Sequence, residues 1–287
     1  MDQSIGFVGL GEMGVPMALN LQKSGFQVFA YDINQSIYEK LRQKGIICCD
    51  SIKEVAENSD EAVISMVRTA HQTENVIFGE EGIASADKQG LTIIIMSTLE
   101  TTTVKELDEK VEKMGLHLVD APVSGGQFGA EAATLSIMTA GAEDIVQKCN
   151  RYFQAMGKNI FYFGMECGAG QSAKLANNLI VGINLTGTIE GLRFGQKYSL
   201  PKDELLKLIS VSTGNSWVVN HWDEVSKWKP DGTLGVLYKD LMAVIMECSK
   251  DQFSLPLGAL TSSLLIDSMK ALQKELDEEL NRISVNK

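Results

Sequence analysis

The stretch IGFVGLGEMGVPMALNLQKSGFQVFAYD, residues 5–32, restricts the fold of this chain more than any other. A strand-like apolar run ends at Gly9, a helical pattern opens at Gly14, and a second strand-like run ends on Asp32. Gly9, Gly11 and Gly14 form G-x-G-x-x-G. In such a loop the first glycine permits a tight turn, the second lets a pyrophosphate approach the backbone, and the third lets helix pack on strand. Free N–H groups at the helix start favour anions. Gly9, Leu10, Gly11, Glu12, Met13 and Gly14 are therefore expected to cradle the phosphates of a dinucleotide. Asp32 would accept hydrogen bonds from the adenosine ribose, where a 2′-phosphate would meet a carboxylate. The following Ile33-Asn34-Gln35 supplies no arginine, so NAD is expected over NADP.

Strand-like runs continue at 61–66, 91–97, 116–120, 135–140 and 160–163, mostly separated by amphipathic helical patterns such as TTTVKELDEKVEKMG. Alternation of this kind predicts an α/β fold built on a doubly wound, mostly parallel Rossmann-type sheet. After CGAG the strand signal stops, and an all-α C-terminal domain is expected. The division is placed at 1–165 for the cofactor domain and 166–287 for a helical substrate and oligomerisation domain, with a ligand cleft between the halves. Leu272, Leu276, Leu280 and Ile283 recur at three- and four-residue spacing, which reads as an amphipathic surface or partner-facing helix.

Charge and cysteine usage narrow the function. The 26 basic and 37 acidic residues leave a net charge of −11, which argues against nucleic acid and anionic membranes as partners. Five irregularly spaced cysteines without a C-x-x-C fit a reducing cytoplasm, and three scattered histidines suggest no metal site. No secretory signal is visible, and no apolar run approaches the ~20 residues of a membrane span.

Two further stretches carry chemistry. In DAPVSGGQFGAEAATL (120–135), Ser124, Gly125 and Gly126 follow a strand's carboxyl end, where successive N–H groups and a hydroxyl make an anion-binding concavity suited to a substrate carboxylate. In GAGQSAKLANNLIVGIN (168–184), Lys174 and Asn178 share a helix face among residues that read as core, including Leu175, Leu179, Ile180 and Val181. Such a lysine either snorkels to solvent or is held for proton chemistry. Desolvation disfavours the ammonium, as a base working near neutral pH requires.

With these three motifs, in this order, and with YKDL at 238–241, the chain resembles the β-hydroxyacid dehydrogenase family. The resemblance implies that Lys174 is the catalytic acid/base, that Asn178 helps hold substrate and lysine, and that Ser124, Gly125 and Gly126 bind a small substrate's carboxylate. It implies that Val67, Arg68 and Gln72 belong to a cofactor loop, that Thr98 lies near the nicotinamide, and that Lys239 approaches the cofactor. Interconversion of a small 3-hydroxy acid and its semialdehyde follows, in a homodimer or homotetramer. Arg68 stands where the family commonly has proline, Met96 where it has an acid, and Ala133 where it has glycine. A non-catalytic NAD-binding module and an imine reductase are the alternatives. Related imine reductases generally lack lysine at this position.

Overall fold

Strands β1 (Ser4–Val8), β2 (Gln27–Tyr31), β3 (Ile47–Cys48), β4 (Ala62–Ser65), β5 (Thr92–Ile95) and β6 (His117–Asp120) form one sheet in the order β3-β2-β1-β4-β5-β6. All neighbouring pairs are parallel. This is a computed structural model, and it describes residues 3–285. A smaller sheet holds β7 (Val123–Ser124), β8 (Leu135–Thr139) and β9 (Gly157–Tyr162), with β7 antiparallel and β9 parallel to β8. A bridge between Asp120 and Ala140 ties the end of β6 to this sheet.

Side chains alternate across the large sheet into two separate cores. Phe7 and Ile94 enter the core that also holds Met17, Leu21, Tyr152 and Phe153. Their neighbours Val8, Ile93 and Ile95 enter the other, with Val55, Ile77 and Leu107. Strands buried on both faces must be apolar throughout, which is why these runs show no polar alternation. The helices of this unit are α1 (Gly14–Lys23), α2 (Tyr38–Arg42), α3 (Ile52–Glu57), α4 (Ala70–Phe78), α5 (Thr101–Glu112), α6 (Gly126–Glu131) and α7 (Glu143–Met156). Of these, α1 and α7 cover the first core and α3, α4 and α5 the second.

The rest of the described chain is helical: α8 (Ala169–Lys197), α9 (Lys202–Ser210), α10 (Trp217–Asn220), α11 (Trp222–Val225), α12 (Thr233–Lys250) and α13 (Pro256–Val285). Leu185, Ile189 and Leu192 of α8 pack with Trp222, Leu237, Leu241, Leu265 and Met269 in a third core. Contacts divide the chain into Met1–Lys174 and Leu175–Lys287. The division falls inside α8, because the first turn of that helix is fastened to β6. Ile180, expected in the core, is 59% exposed. An apolar residue on a helix can face a partner as well as a core, and the pattern alone does not tell the two apart. The side chains of Leu272, Leu276, Leu280 and Ile283 lie outside the described residues. Among the described residues, no helix is long and apolar enough to cross a membrane.

Candidate active site

The glycine loop sits where the strand order reverses, between β1 and β4, at the strands' carboxyl ends. That switch point is the usual ligand crevice of open α/β sheets. Gly9 has φ +98°, and a Cβ there would overlap the Met66 carbonyl. A Cβ on Gly14 would overlap the carbonyl oxygen of Gly9. Above Gly11 nothing lies within 4 Å. The start of α1, at Met13, has no side-chain cap. An open approach over Gly11 and uncapped helix N–H groups fit a pyrophosphate, so the residues present suit a dinucleotide.

Asp32 closes this loop from β2. Its Oδ2 accepts the Leu10 N–H at 2.6 Å and its Oδ1 accepts the Asn34 N–H at 2.7 Å. Asn34 is itself engaged with Ser36, and Ile33 is exposed.

The loop after β4 is held locally and across the sheet. Gln72 Oε1 accepts the Arg68 and Thr69 N–H groups at 2.9 and 3.2 Å, and Thr69 Oγ1 accepts the Gln72 N–H at 3.2 Å. This is a capping box at the start of α4, so Gln72 shapes the loop through its backbone. The Val67 N–H donates to Ser97 Oγ at 3.0 Å, joining this loop to the one after β5. Arg68 is exposed and Thr98 partly buried.

A buried polar network secures the next two strand ends. Asp120 Oδ2, at the end of β6, accepts N–H groups of Gly168 and Gln171 at 3.0 and 2.9 Å. Gln171 Nε2 donates to Asp120 Oδ1 at 2.7 Å and to the Ser97 carbonyl at 3.0 Å. Burial raises the Asp120 carboxyl from 3.8 to about 6, against the lowering effect of these donors. Burial likewise pushes the adjacent Cys167 thiol up, so it stays protonated.

Ser124 ends β7, and Gly125 and Gly126 follow at φ +130° and +59°, opening α6. Both glycines are exposed, and a Cβ on Gly126 would meet nothing within 4 Å. Further on, Ala133 adopts φ +54°, a left-handed conformation that glycine takes with less strain than alanine.

Lys174, on α8 one turn past Gln171, is buried at 8% exposure. Asn178 is one further turn along, also buried. Within the helical unit its Nδ2 donates to Asp240 Oδ2 at 2.7 Å, and Asn177 Nδ2 donates to its Oδ1 at 3.2 Å. Asp240, only 1% exposed, also pairs through Oδ1 with Lys239 Nζ at 3.1 Å.

Sequence reading alone missed Asp120 and Gln171 in the network at the strand ends and, separately, Asp240 as the partner of Asn178. An acid closing an apolar strand, as in LHLVD, was the available signal for Asp120. Gln171 and Asp240 offered none, since their partners lie on distant segments. Among the described residues, no group of three or more His, Cys, Asp or Glu could hold a metal ion.

Residues 4–164 match the family described as the NAD binding domain of 6-phosphogluconate dehydrogenase, and 168–281 the family described as NAD-binding of NADP-dependent 3-hydroxyisobutyrate dehydrogenase. Fold, loop and these matches define an NAD(P)-dependent oxidoreductase acting on CH–OH groups. The chain belongs to the β-hydroxyacid dehydrogenase family.

It is 34% identical to 3-hydroxyisobutyrate dehydrogenase of Pseudomonas aeruginosa, covering 99% of this chain and 97% of that one. With NAD-dependent L-serine dehydrogenase of the same organism it shares 33% identity over 91% of each chain. The mouse mitochondrial 3-hydroxyisobutyrate dehydrogenase is 36% identical over 77% of this chain, but the match spans only 65% of that protein's length. The structure of Mycobacterium tuberculosis 3-hydroxyisobutyrate dehydrogenase with L-serine superposes with TM-score 0.83 and 27% identity, covering 93% of this chain and 94% of that one. An imine reductase from Myxococcus stipitatus shares the fold, with TM-score 0.69 and 14% identity over 94% and 95% of the two chains.

Proposed function

We propose that this protein is an NAD-dependent dehydrogenase interconverting a small 3-hydroxy acid and its semialdehyde, with Lys174 as general acid/base. One observation carries the reading: a buried lysine on a helix whose first turn is fastened to the carboxyl edge of the sheet. When bound, NAD supplies at C4 of its ring the acceptor for the hydride leaving the carbinol carbon. Lys174 Nζ takes the hydroxyl proton as the carbon–oxygen double bond forms, and in the reverse direction returns it to the alkoxide. Ser124 and the N–H groups of Gly125 and Gly126 grip the carboxylate and orient the reacting carbon. Asn178, oriented by Asp240, helps hold the substrate.

Asp32 and the absence of a neighbouring arginine support NAD over NADP. The substrates named for the dehydrogenases reported above, 3-hydroxyisobutyrate and L-serine, each carry a hydroxymethyl group one carbon from a carboxylate, and the same class is proposed here. Five free thiols support a reducing, cytoplasmic setting. Exposed Ile180, Phe194, Tyr198, Val236 and Met246 on the helical unit support a homo-oligomer, a dimer or tetramer. Sedimentation showing only monomer at micromolar concentration would contradict that assembly.

The test is a panel of 3-hydroxyisobutyrate, 3-hydroxypropionate, glycerate, serine and succinic semialdehyde, each with NAD(H) and NADP(H). Turnover of at least one of these with NAD(H) is expected. Cofactor binding without turnover across the panel would favour the non-catalytic module. The presence of Lys174 speaks against imine reduction.

A further inference from the structure

Past the end of β5 at Ile95 the backbone of Ser97–Leu99 has left its ladder, yet it stays buried and its polar groups need partners. One side chain provides two of them. Gln171 Oε1 accepts the Leu99 N–H at 2.9 Å, and its Nε2 donates to the Ser97 carbonyl at 3.0 Å. Between these two groups stands Thr98. The second Nε2 proton goes to Asp120 Oδ1 at 2.7 Å, so the carboxamide's donors are both engaged. Asp120 in turn takes the main-chain N–H of Gln171, fixing the helix end from which the side chain extends. Gln171 and Asp120 are both fully buried.

A carboxamide presents a donor and an acceptor side by side, as a strand does. Gln171 thus acts as a one-residue strand partner, leaving the Thr98 side chain directed by its flanking peptides. A residue needed only for packing would not require a buried amide, which costs free energy unless every group is paired. Lys174 is one turn along the same helix. We infer that Gln171 is a positioning residue: it holds the Thr98 loop and the helical turn bearing Lys174 at one fixed spacing. The inference rests on the function proposed above, in which Lys174 moves the proton and Thr98 faces the cofactor.

Gln171→Met keeps the side chain's length and removes its hydrogen bonds. It is expected to lower kcat by about 100-fold, the effect of a reacting group displaced by roughly 1 Å. KM for the hydroxy acid and the calorimetric Kd for NAD should stay within about threefold. Hydrogen exchange at the Leu99 amide should quicken by about tenfold or more. A folded variant with kcat within twofold of wild type overturns the inference and leaves the proposed function intact.

Should Gln171→Met fail to fold, Gln171→Glu decides. It keeps the acceptor for Leu99 and loses both donors, except when a proton is shared with Asp120. The other titratable groups nearby are the Cys167 thiol with Asp108 beyond it, and Lys174. The ratio of variant to wild-type kcat should rise by about tenfold from pH 8 to 5.5, as the carboxyl pair takes up a proton. A flat ratio overturns the inference. A wild type inactive on the whole panel overturns the proposed function and the positioning role with it. Leu99 exchange in Gln171→Met then tests the grip alone, and unchanged exchange rejects it.

Discussion

Replacing Asp120 with asparagine probes the buried network at the end of β6. The carboxylate faces donors: the N–H groups of Gly168, Gly170 and Gln171, and Gln171 Nε2. In either orientation, an Asp120→Asn amide sets one N–H against another. Flipping Gln171 moves the conflict to the Leu99 N–H, so one buried donor is lost in every arrangement. That costs about 1–3 kcal/mol. A pH-dependent difference is superimposed on it. The folded state raises the Asp120 carboxyl from 3.8 to about 6, so between those values the folded protein binds the proton more tightly than the unfolded chain. Stability from this group is complete at low pH and is lost as pH rises through about 6. At about 1.4 kcal/mol per tenfold change in proton affinity, the whole effect is about 3 kcal/mol, of which about 2 kcal/mol falls between pH 4.5 and 7.5. Asparagine has no such dependence.

The deficit of the variant relative to wild type should therefore shrink by about 2 kcal/mol from pH 4.5 to 7.5. Trp217, Trp222 and Trp228 all lie in the helical unit, so tryptophan fluorescence does not report on this sheet. Urea-dependent hydrogen exchange at amides of β5 and β6 does. A difference constant with pH, or one that grows with pH, would refute the reasoning.

Two further perturbations test other parts of the structure. Asp32→Ala removes the carboxylate expected to bind ribose hydroxyls, and should shift the ratio of kcat/KM for NAD over NADP toward NADP by about tenfold or more; an unchanged ratio contradicts the ribose assignment. Ala133→Gly relieves the strain of φ +54° and should raise stability by up to about 1 kcal/mol, or Tm by about 2–4 °C in calorimetry, whereas a lowered Tm would show that the position carries no strain.

The large sheet was legible because β-branched runs such as Ile93–Ile95 are buried on both faces, and because a glycine loop fixes where strand gives way to helix. The strands β3 and β7, two residues each, are too short to leave a periodic signal. Local spacing and composition mark Lys174, Asn178 and Ser124–Gly126 as candidates, with roles that rest on the resemblance. The long-range pairings near Lys174 and Asn178 leave no such mark. Asp120 meets Gln171 across 51 residues and Asn178 meets Asp240 across 62, and nothing local marks either pairing. Gln72 shows the reverse: the resemblance placed it in a cofactor loop by position, while the hydrogen bonds of its side chain cap α4.

The central claim, that the amine of Lys174 exchanges a proton with the substrate, is tested most directly by Lys174→Ala in steady-state kinetics beside calorimetric titration with NAD. Turnover should fall by about 10²–10⁴-fold with NAD affinity retained. Turnover near that of wild type, with the cofactor still bound, would contradict the claim.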